Sequence, residues 1–167
     1  MEQLTCDPIN ALSEALCHEE EGRTFYLKAA QRTVDPKGAA MFRSLADDAR
    51  MHAEIIQRQL DAFKEGNGWA LPECVFDCQA DLDKPLYPRG KDALQQTIRP
   101  DDSDLDALLF AIKTENDSFH LYSEHARSST DDQAKAFYEY LTEEARTHFD
   151  LLMLNYESLS STRGWVN

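Results

Sequence analysis

At 167 residues the chain is long enough for one domain with a sizeable core, and its 42% hydrophobic and 29% charged residues are ordinary for a globular protein. A formal net charge of −14 argues against nucleic acid and anionic membranes as partners, because both bind basic faces. The N-terminal stretch lacks the basic and apolar segments of a signal peptide, and no apolar run approaches the roughly 18 residues that span a bilayer. These properties predict a cytoplasmic protein whose four cysteines are reduced.

Two amphipathic helices are predicted over about residues 8–65, and they form the first of two hairpins. Each begins with an N-cap aspartate and a proline in the first turn, a favoured order at helix starts: Asp7-Pro8 and Asp35-Pro36. Apolar residues recur at helical spacing through both segments, so each helix has one inward stripe. The stripe of the first helix includes Glu19, and the stripe of the second includes His52.

The segment of about residues 66–102 lacks periodicity and contains four prolines. A connection this long inside a compact domain is uncommon, and a four-helix bundle with one long crossover accounts for it. Cys74 and Cys78 lie in this segment, but the chain has no Cys-x-x-Cys pair, so we expect no rubredoxin-type or structural zinc module. The two thiols are close enough in sequence to form a bridge or to bind a metal, and reduced thiols are the third alternative.

The second hairpin is predicted over about residues 103–160, after a cap region at Asp101-Asp102-Ser103. Its first helix carries Glu115 on the inward stripe, and its second carries His148. No stretch alternates apolar and polar residues over the length of a strand. The sequence therefore predicts an all-α protein with a single domain over residues 1–167, built from two helical hairpins and a long crossover.

The two hairpins are one pattern written twice, with an offset of 96 residues. Ala49-Arg50-Met51-His52 in the first hairpin matches Ala145-Arg146-Thr147-His148 in the second. Over the 38 positions from Glu19 to Ile56, nine residues are identical without a gap, where chance would give about two or three. An internal duplication of this kind predicts that equivalent residues of the two hairpins lie around a pseudo-two-fold axis.

Four polar side chains on these apolar stripes form the candidate site: Glu19, His52, Glu115 and His148. A lone histidine in such a position is more often a core residue held by a hydrogen bond than a metal ligand. Buried carboxylates, however, are costly unless they are paired or bound to a metal. The duplicated set brings two Glu and two His from four helices to the axis, and these ligand types suit iron, manganese or zinc.

At these positions the chain resembles the ferritin-like superfamily, and specifically the rubrerythrin-like proteins. The matching stretches cover all four helices: Glu19–Tyr26 with Asp35-Pro36, Leu45–Glu54, Glu115–Tyr122 and Leu141–His148. The resemblance implies a ferritin-like four-helix bundle with a metal centre at Glu19, His52, Glu115 and His148. It implies that the metal is iron, as one or two ions, with zinc or manganese as less favoured alternatives. It also implies non-haem iron oxidoreductase chemistry on oxygen or peroxide, with electrons from a separate donor.

The chain departs from that family at two equivalent positions. Three residues before each histidine the family places a carboxylate that bridges two irons, and here these positions hold Ala49 and Ala145. Glu19 and Glu115 then supply two negative charges, which match one divalent ion. A close pair of ions would lack its main support unless water or an exogenous ligand bridged them.

Asp48 and Glu144 are not expected to replace the missing carboxylates, because they lie about 100° around the helix from the two alanines. The simplest structural explanation of the two alanines is that small side chains allow the helices to pack closely. It supports a competing hypothesis, a non-catalytic bundle that kept the fold and serves as a binding or assembly module. The sequence thus predicts a reduced site of two Glu and two His, and the alanines weaken the implied enzymatic activity.

The remaining polar and aromatic residues are predicted to lie around this centre or outside it. Tyr26 and Tyr122, seven residues after the two glutamates, are expected in the core with their hydroxyls bonded near the site. Arg50 and Arg146 are expected to point outward and form surface ion pairs. Histidines without a repeat partner are expected off the central stripe: His18, His120 and His125. Other aromatic residues are expected to cover the bundle or a partner, with a homodimer as the assembly: Trp69, Phe76, Tyr87 and Trp165.

Overall fold

The protein is described by a computed structural model that covers residues 7–78, 80–84, 86, 103–161 and 164–166. Four long helices account for most of these residues: α1 (Pro8–Arg32), α2 (Pro36–Lys64), α3 (Asp104–Ser128) and α4 (Asp132–Ser160). A short 3-10 turn spans Glu73–Val75, and none of the residues described forms a strand. The prediction of an all-α bundle of two hairpins is therefore confirmed.

Each helix begins where a polar side chain caps its free backbone N–H groups. The Asp7 carboxylate accepts from the backbone of Ile9 in α1, and Asp35 does the same for α2. Asp131 accepts from two backbone N–H groups of α4, and the Ser103 hydroxyl accepts from the first turn of α3. Each cap of this kind stabilises a helix by about 1 kcal/mol, so the starts are encoded locally.

The two hairpins pack α1 against α2 and α3 against α4, and they meet each other along α1 and α3. His18 lies beside Ser118 while Phe25 lies beside Phe110, so α1 and α3 run antiparallel. This is the relation expected when the pseudo-two-fold axis of the repeat is perpendicular to the helices. Within the predicted crossover, residues 79, 85 and 87–102 lie outside the described residues, and this range includes Tyr87; Cys6 lies outside them too.

The apolar core consists of two clusters with a polar centre between them. One cluster includes Phe42 and Leu45, and the other includes Ile56 and Leu141. Leu45 and Leu141 both line the small cavity in which the candidate site residues meet. The bundle therefore holds its polar centre away from water by apolar packing on two sides.

The aromatic residues outside the stripes take different positions. Trp165 is buried against Phe42, and Gly38 makes room for it, because a Cβ at that position would lie 2.5 Å from the indole ring. Trp69 packs on Phe137, whereas Phe76 is 57% exposed. Among the described residues, no helix combines the length and apolar composition needed to cross a membrane.

The prediction that both repeat arginines point outward is wrong for Arg146. Arg50 is exposed and pairs with Glu54, but Arg146 is only 8% exposed. Its guanidinium donates to the backbone carbonyls of Asp81 and Lys84, at 3.1 and 2.7 Å. The reason is that the connecting segment lies along α4, where its carbonyl groups come within hydrogen-bond distance of the buried guanidinium. The two repeat arginines therefore differ because only Arg146, and not Arg50, contacts this segment.

Candidate metal centre

The structure brings each predicted glutamate next to the histidine of its own hairpin. The Nδ1 atom of His52 lies 3.5 Å from Glu19 Oε2, and the Nδ1 atom of His148 lies 3.5 Å from Glu115 Oε1. All four side chains are buried, and the two imidazole centroids are 6.0 Å apart. Two equivalent Glu–His pairs thus face each other across the bundle axis.

A tyrosine from the opposite hairpin holds each glutamate in place. The Tyr122 hydroxyl donates to Glu19 Oε1 at 2.5 Å, and the Tyr26 hydroxyl donates to Glu115 Oε1. Burial raises the pKa of both tyrosines well above the usual range, and the neighbouring carboxylates raise it further. Both tyrosines are therefore neutral O–H donors that bind the hairpins together and fix the carboxylates.

The Nε2 atom of each histidine contacts one further carboxylate, which comes from the opposite hairpin. Asp48 Oδ2 lies 3.0 Å from His148 Nε2, and Glu144 Oε2 lies 3.3 Å from His52 Nε2. From the sequence, both acids were considered only as replacements for bridging ligands, and their contact with the histidines was not predicted. The available signal is their repeated place four residues before His52 and His148 on the same helix face.

The carboxylates favour the charged form of both imidazoles. Burial lowers the pKa of His52, but Glu144 and Glu19 outweigh burial and raise it to about 9. Burial likewise lowers the pKa of His148, and Asp48 and Glu115 raise it to about 10. In the metal-free protein at neutral pH, each histidine is therefore an imidazolium held between two carboxylates.

The donor set fits a metal in the positions that the sequence predicted. A separation of 3.5 Å is long for a hydrogen bond, but two ligands about 2.1 Å from one ion at a tetrahedral angle lie about 3.4 Å apart. A histidine that binds a metal through one nitrogen commonly donates its other N–H to a carboxylate, as Asp48 and Glu144 allow. The cavity between the pairs has a volume of about 20 Å³, room for about one small group.

The four side chains do not form a complete metal-binding site before an ion is present. Within the described part of the chain, no three His, Cys, Asp or Glu side chains gather as a ready metal-binding group. Ala49 and Ala145 are buried and line this cavity, and neither side chain has a donor atom for a metal. An ion bound by all four side chains would therefore have to draw the two Glu–His pairs together.

His18 is a residue of this centre that sequence reasoning placed elsewhere. It lines the central cavity, its Nε2 atom lies 2.5 Å from the Ser118 hydroxyl, and its ring meets the edge of Tyr122. His120 and His125 do not line that cavity. No signal in the sequence marked His18, because a residue directly before Glu19 lies about 100° around the helix from it. Among the described cysteines, Cys17, Cys74 and Cys78 are free thiols.

Unfolding of the metal-free protein is expected to become easier as the solution becomes alkaline. Both histidines have a folded-state pKa, about 9 and about 10, above their ordinary value of 6.5. Their contribution to the free energy of unfolding is therefore fully present below about pH 6.5 and is lost as the pH rises through 9 to 10. Urea unfolding with a chelator at pH 7 and pH 10 measures this loss. A His52→Gln, His148→Gln variant should show a smaller loss, and an equal loss in both proteins would contradict the prediction.

Comparison with known proteins agrees with the fold for the first hairpin. The family model described as Rubrerythrin matches residues 10–76, which cover most of α1, all of α2 and the 3-10 turn. No curated protein matches the chain. No solved structure matches it either.

Proposed function

We propose, taking the chain as a rubrerythrin-like protein of the ferritin-like superfamily, that it binds one divalent metal ion between its hairpins, with Glu19, His52, Glu115 and His148 as ligands. The observation that carries this proposal is the paired geometry. Two buried Glu–His pairs face each other, and every imidazole has an outer carboxylate on its other nitrogen. Iron is the first candidate, with zinc or manganese as alternatives.

The residues of this centre would have three different roles in metal binding: charge balance, fixing of the carboxylates and orientation of the imidazoles. Glu19 and Glu115 supply the two negative charges that balance one divalent ion, and the tyrosine hydroxyls fix the carboxylates. Asp48 and Glu144 orient the imidazoles so that Nδ1 faces the cavity. Bound iron would supply redox chemistry toward oxygen or peroxide, with electrons from a separate donor protein. A homodimeric assembly completes the proposal.

The test is the stoichiometry of metal in protein refolded with Fe(II), Zn(II) or Mn(II) under anaerobic conditions. We expect about one ion per chain and a rise in melting temperature with metal concentration. His52→Ala and His148→Ala should abolish stoichiometric binding, and Asp48→Asn should weaken it by about 10- to 100-fold. The exposed His120→Ala is the matched control and should bind as the parent does.

Two outcomes would overturn the proposal. About two irons per chain with near-ultraviolet oxo-bridge absorption would establish a dinuclear centre instead. No stoichiometric metal in the parent protein would leave the second candidate function, a binding or assembly bundle without metal chemistry. That candidate is favoured by one observation, since the two imidazoliums between four carboxylates satisfy the polar centre without an ion. The same stoichiometry experiment thus separates the two functions.

A further inference from the structure

A surface groove of about 510 Å³ lies next to the central cavity, which has a volume of about 20 Å³. The groove runs between α1 and α3 beside Phe25 and Phe110, whose ring centroids lie 4.5 Å apart. Three residues line both the groove and the cavity: His18, Gly22 and Thr114. These three residues therefore mark the boundary between the surface groove and the candidate metal centre.

Gly22 leaves a gap at this boundary. It is buried in the interior of α1, where glycine disfavours the helix relative to alanine. Among the described residues, a Cβ at this position would meet only a ring carbon of Tyr26, at 4.0 Å. The Thr114 hydroxyl is turned back to its own helix, where it donates to the Phe110 carbonyl at 3.0 Å. Close packing therefore does not account for the glycine, and its missing side chain leaves space between the groove and the cavity.

The internal repeat closes the equivalent place on the other side of the axis. The 96-residue offset maps Gly22 on Ser118 and Thr114 on His18. The Nε2 atom of His18 lies 2.5 Å from the Ser118 hydroxyl, so these two side chains bridge α1 and α3. The gap at Gly22 thus results from divergence of the two hairpins, and the packing that they share does not require it.

Charge and size at this boundary favour a small neutral molecule. The groove is lined by charged side chains of both signs: Glu21, Lys28, Arg32, Lys113 and Asp117. The centre holds four carboxylates around two imidazoles, so its electrostatic field disfavours small anions. The cavity has room for about one small group. An uncharged molecule little larger than water, such as hydrogen peroxide, meets both conditions.

We propose that Gly22 forms the entrance to the metal centre and determines the size of the oxidant that reaches it. The entrance admits hydrogen peroxide from the groove. It excludes a peroxide on a tertiary carbon, because that carbon with its three substituents is wider than the space of one missing side chain. The selection of an oxidant rests on the metal binding proposed above. The entrance itself is a property of the metal-free protein and is tested there first.

Proton exchange with water tests the entrance, because water is close to hydrogen peroxide in size and polarity. In the metal-free protein the Nδ1–H groups of His52 and His148 face the cavity, and NMR saturation transfer measures their exchange with bulk water at pH 7. Gly22→Leu should slow this exchange by about tenfold or more, since water would then need a local opening of the bundle. Gly22→Ala should slow it less, and alanine favours the helix, so this variant keeps the test valid if leucine disturbs the fold.

Two controls accompany this measurement. Thr24→Leu adds the same side chain at an exposed position that lines the groove but not the cavity, and it should leave the exchange unchanged. The Nε2–H groups contact the partly exposed Asp48 and Glu144, so their exchange should be the same in every variant. Equal exchange of the Nδ1–H groups in the parent and in both Gly22 variants would show that the entrance lies elsewhere.

Stopped-flow oxidation of the Fe(II)-loaded protein tests the selection by size. Hydrogen peroxide takes one electron from the iron of each of two chains, together with two protons, and leaves as two water molecules. Relative to the rates with free Fe(II), hydrogen peroxide should react at least about tenfold faster than cumene hydroperoxide. Gly22→Leu should slow the reaction with hydrogen peroxide without changing the iron content. Equal relative rates of the two peroxides would overturn the size selection. A parent protein without bound iron would overturn both the proposed function and this selection, and the exchange measurement would still decide whether Gly22 is the entrance.

Discussion

Replacing Arg146 by alanine is expected to lower the free energy of unfolding by about 2 to 3 kcal/mol. The guanidinium donates to the carbonyls of Asp81 and Lys84, pairs with Glu143 at 3.2 Å, and lies 4.9 Å from the centre of the Phe119 ring. Alanine removes all of these contacts and leaves a void beside α4. The connecting segment then loses one of its attachments to the second hairpin, while the contact of Arg127 with the Leu82 carbonyl remains.

Thermal and urea unfolding measure this effect, and a loss of this size corresponds to roughly 6 to 9 °C in melting temperature for a chain of this length. Arg50→Ala is the matched control, because the repeat partner is exposed and should change the stability by less than about 0.5 kcal/mol. Arg146→Lys should lie between the two, since an ammonium group cannot donate as a planar fork. Equal effects of Arg50→Ala and Arg146→Ala would show that the buried contacts do not stabilise the fold.

The parts of the fold that the sequence predicted well are the parts encoded over short distances. Asp7 and Asp35 cap the first two helices as expected, because capping depends on residues within one turn. The 96-residue repeat then allowed the prediction for the first hairpin to be applied to the second hairpin. The two Glu–His pairs follow from the same reasoning, since each pair lies within one hairpin.

Contacts between the hairpins were beyond that reasoning. The pairing of Asp48 with His148 and of Glu144 with His52 crosses from one hairpin to the other, so helical spacing alone did not reveal it. Arg146 was misplaced for a related reason, because its partners lie in a connecting segment that has no periodicity. Such contacts depend on how whole helices and loops pack against each other. A single sequence determines this packing only through many weak interactions acting together.

Placing a carboxylate at each of the two alanine positions is expected to produce the largest change of all. Ala49→Glu combined with Ala145→Glu should destabilise the metal-free protein by about 5 kcal/mol. Both alanines are less than 5% exposed and line a cavity of about 20 Å³ that Glu19 and Glu115 also line. Two more carboxylates must therefore be packed into this space and paired there, or protonated.

Metal should reverse this loss, because four inner carboxylates with two neutral imidazoles balance two divalent ions instead of one. We expect the Ala49→Glu, Ala145→Glu variant to bind about two Fe(II) or Zn(II) ions per chain and to regain its stability when they are bound. Ala49→Gln combined with Ala145→Gln has the same shape without the charge. It should be destabilised by crowding and should gain no second ion. Urea unfolding with chelator or metal, together with elemental analysis, distinguishes these cases. A Glu variant that is as stable as the parent without metal, or that still binds a single ion, would mean that Ala49 and Ala145 do not set the metal content of this centre.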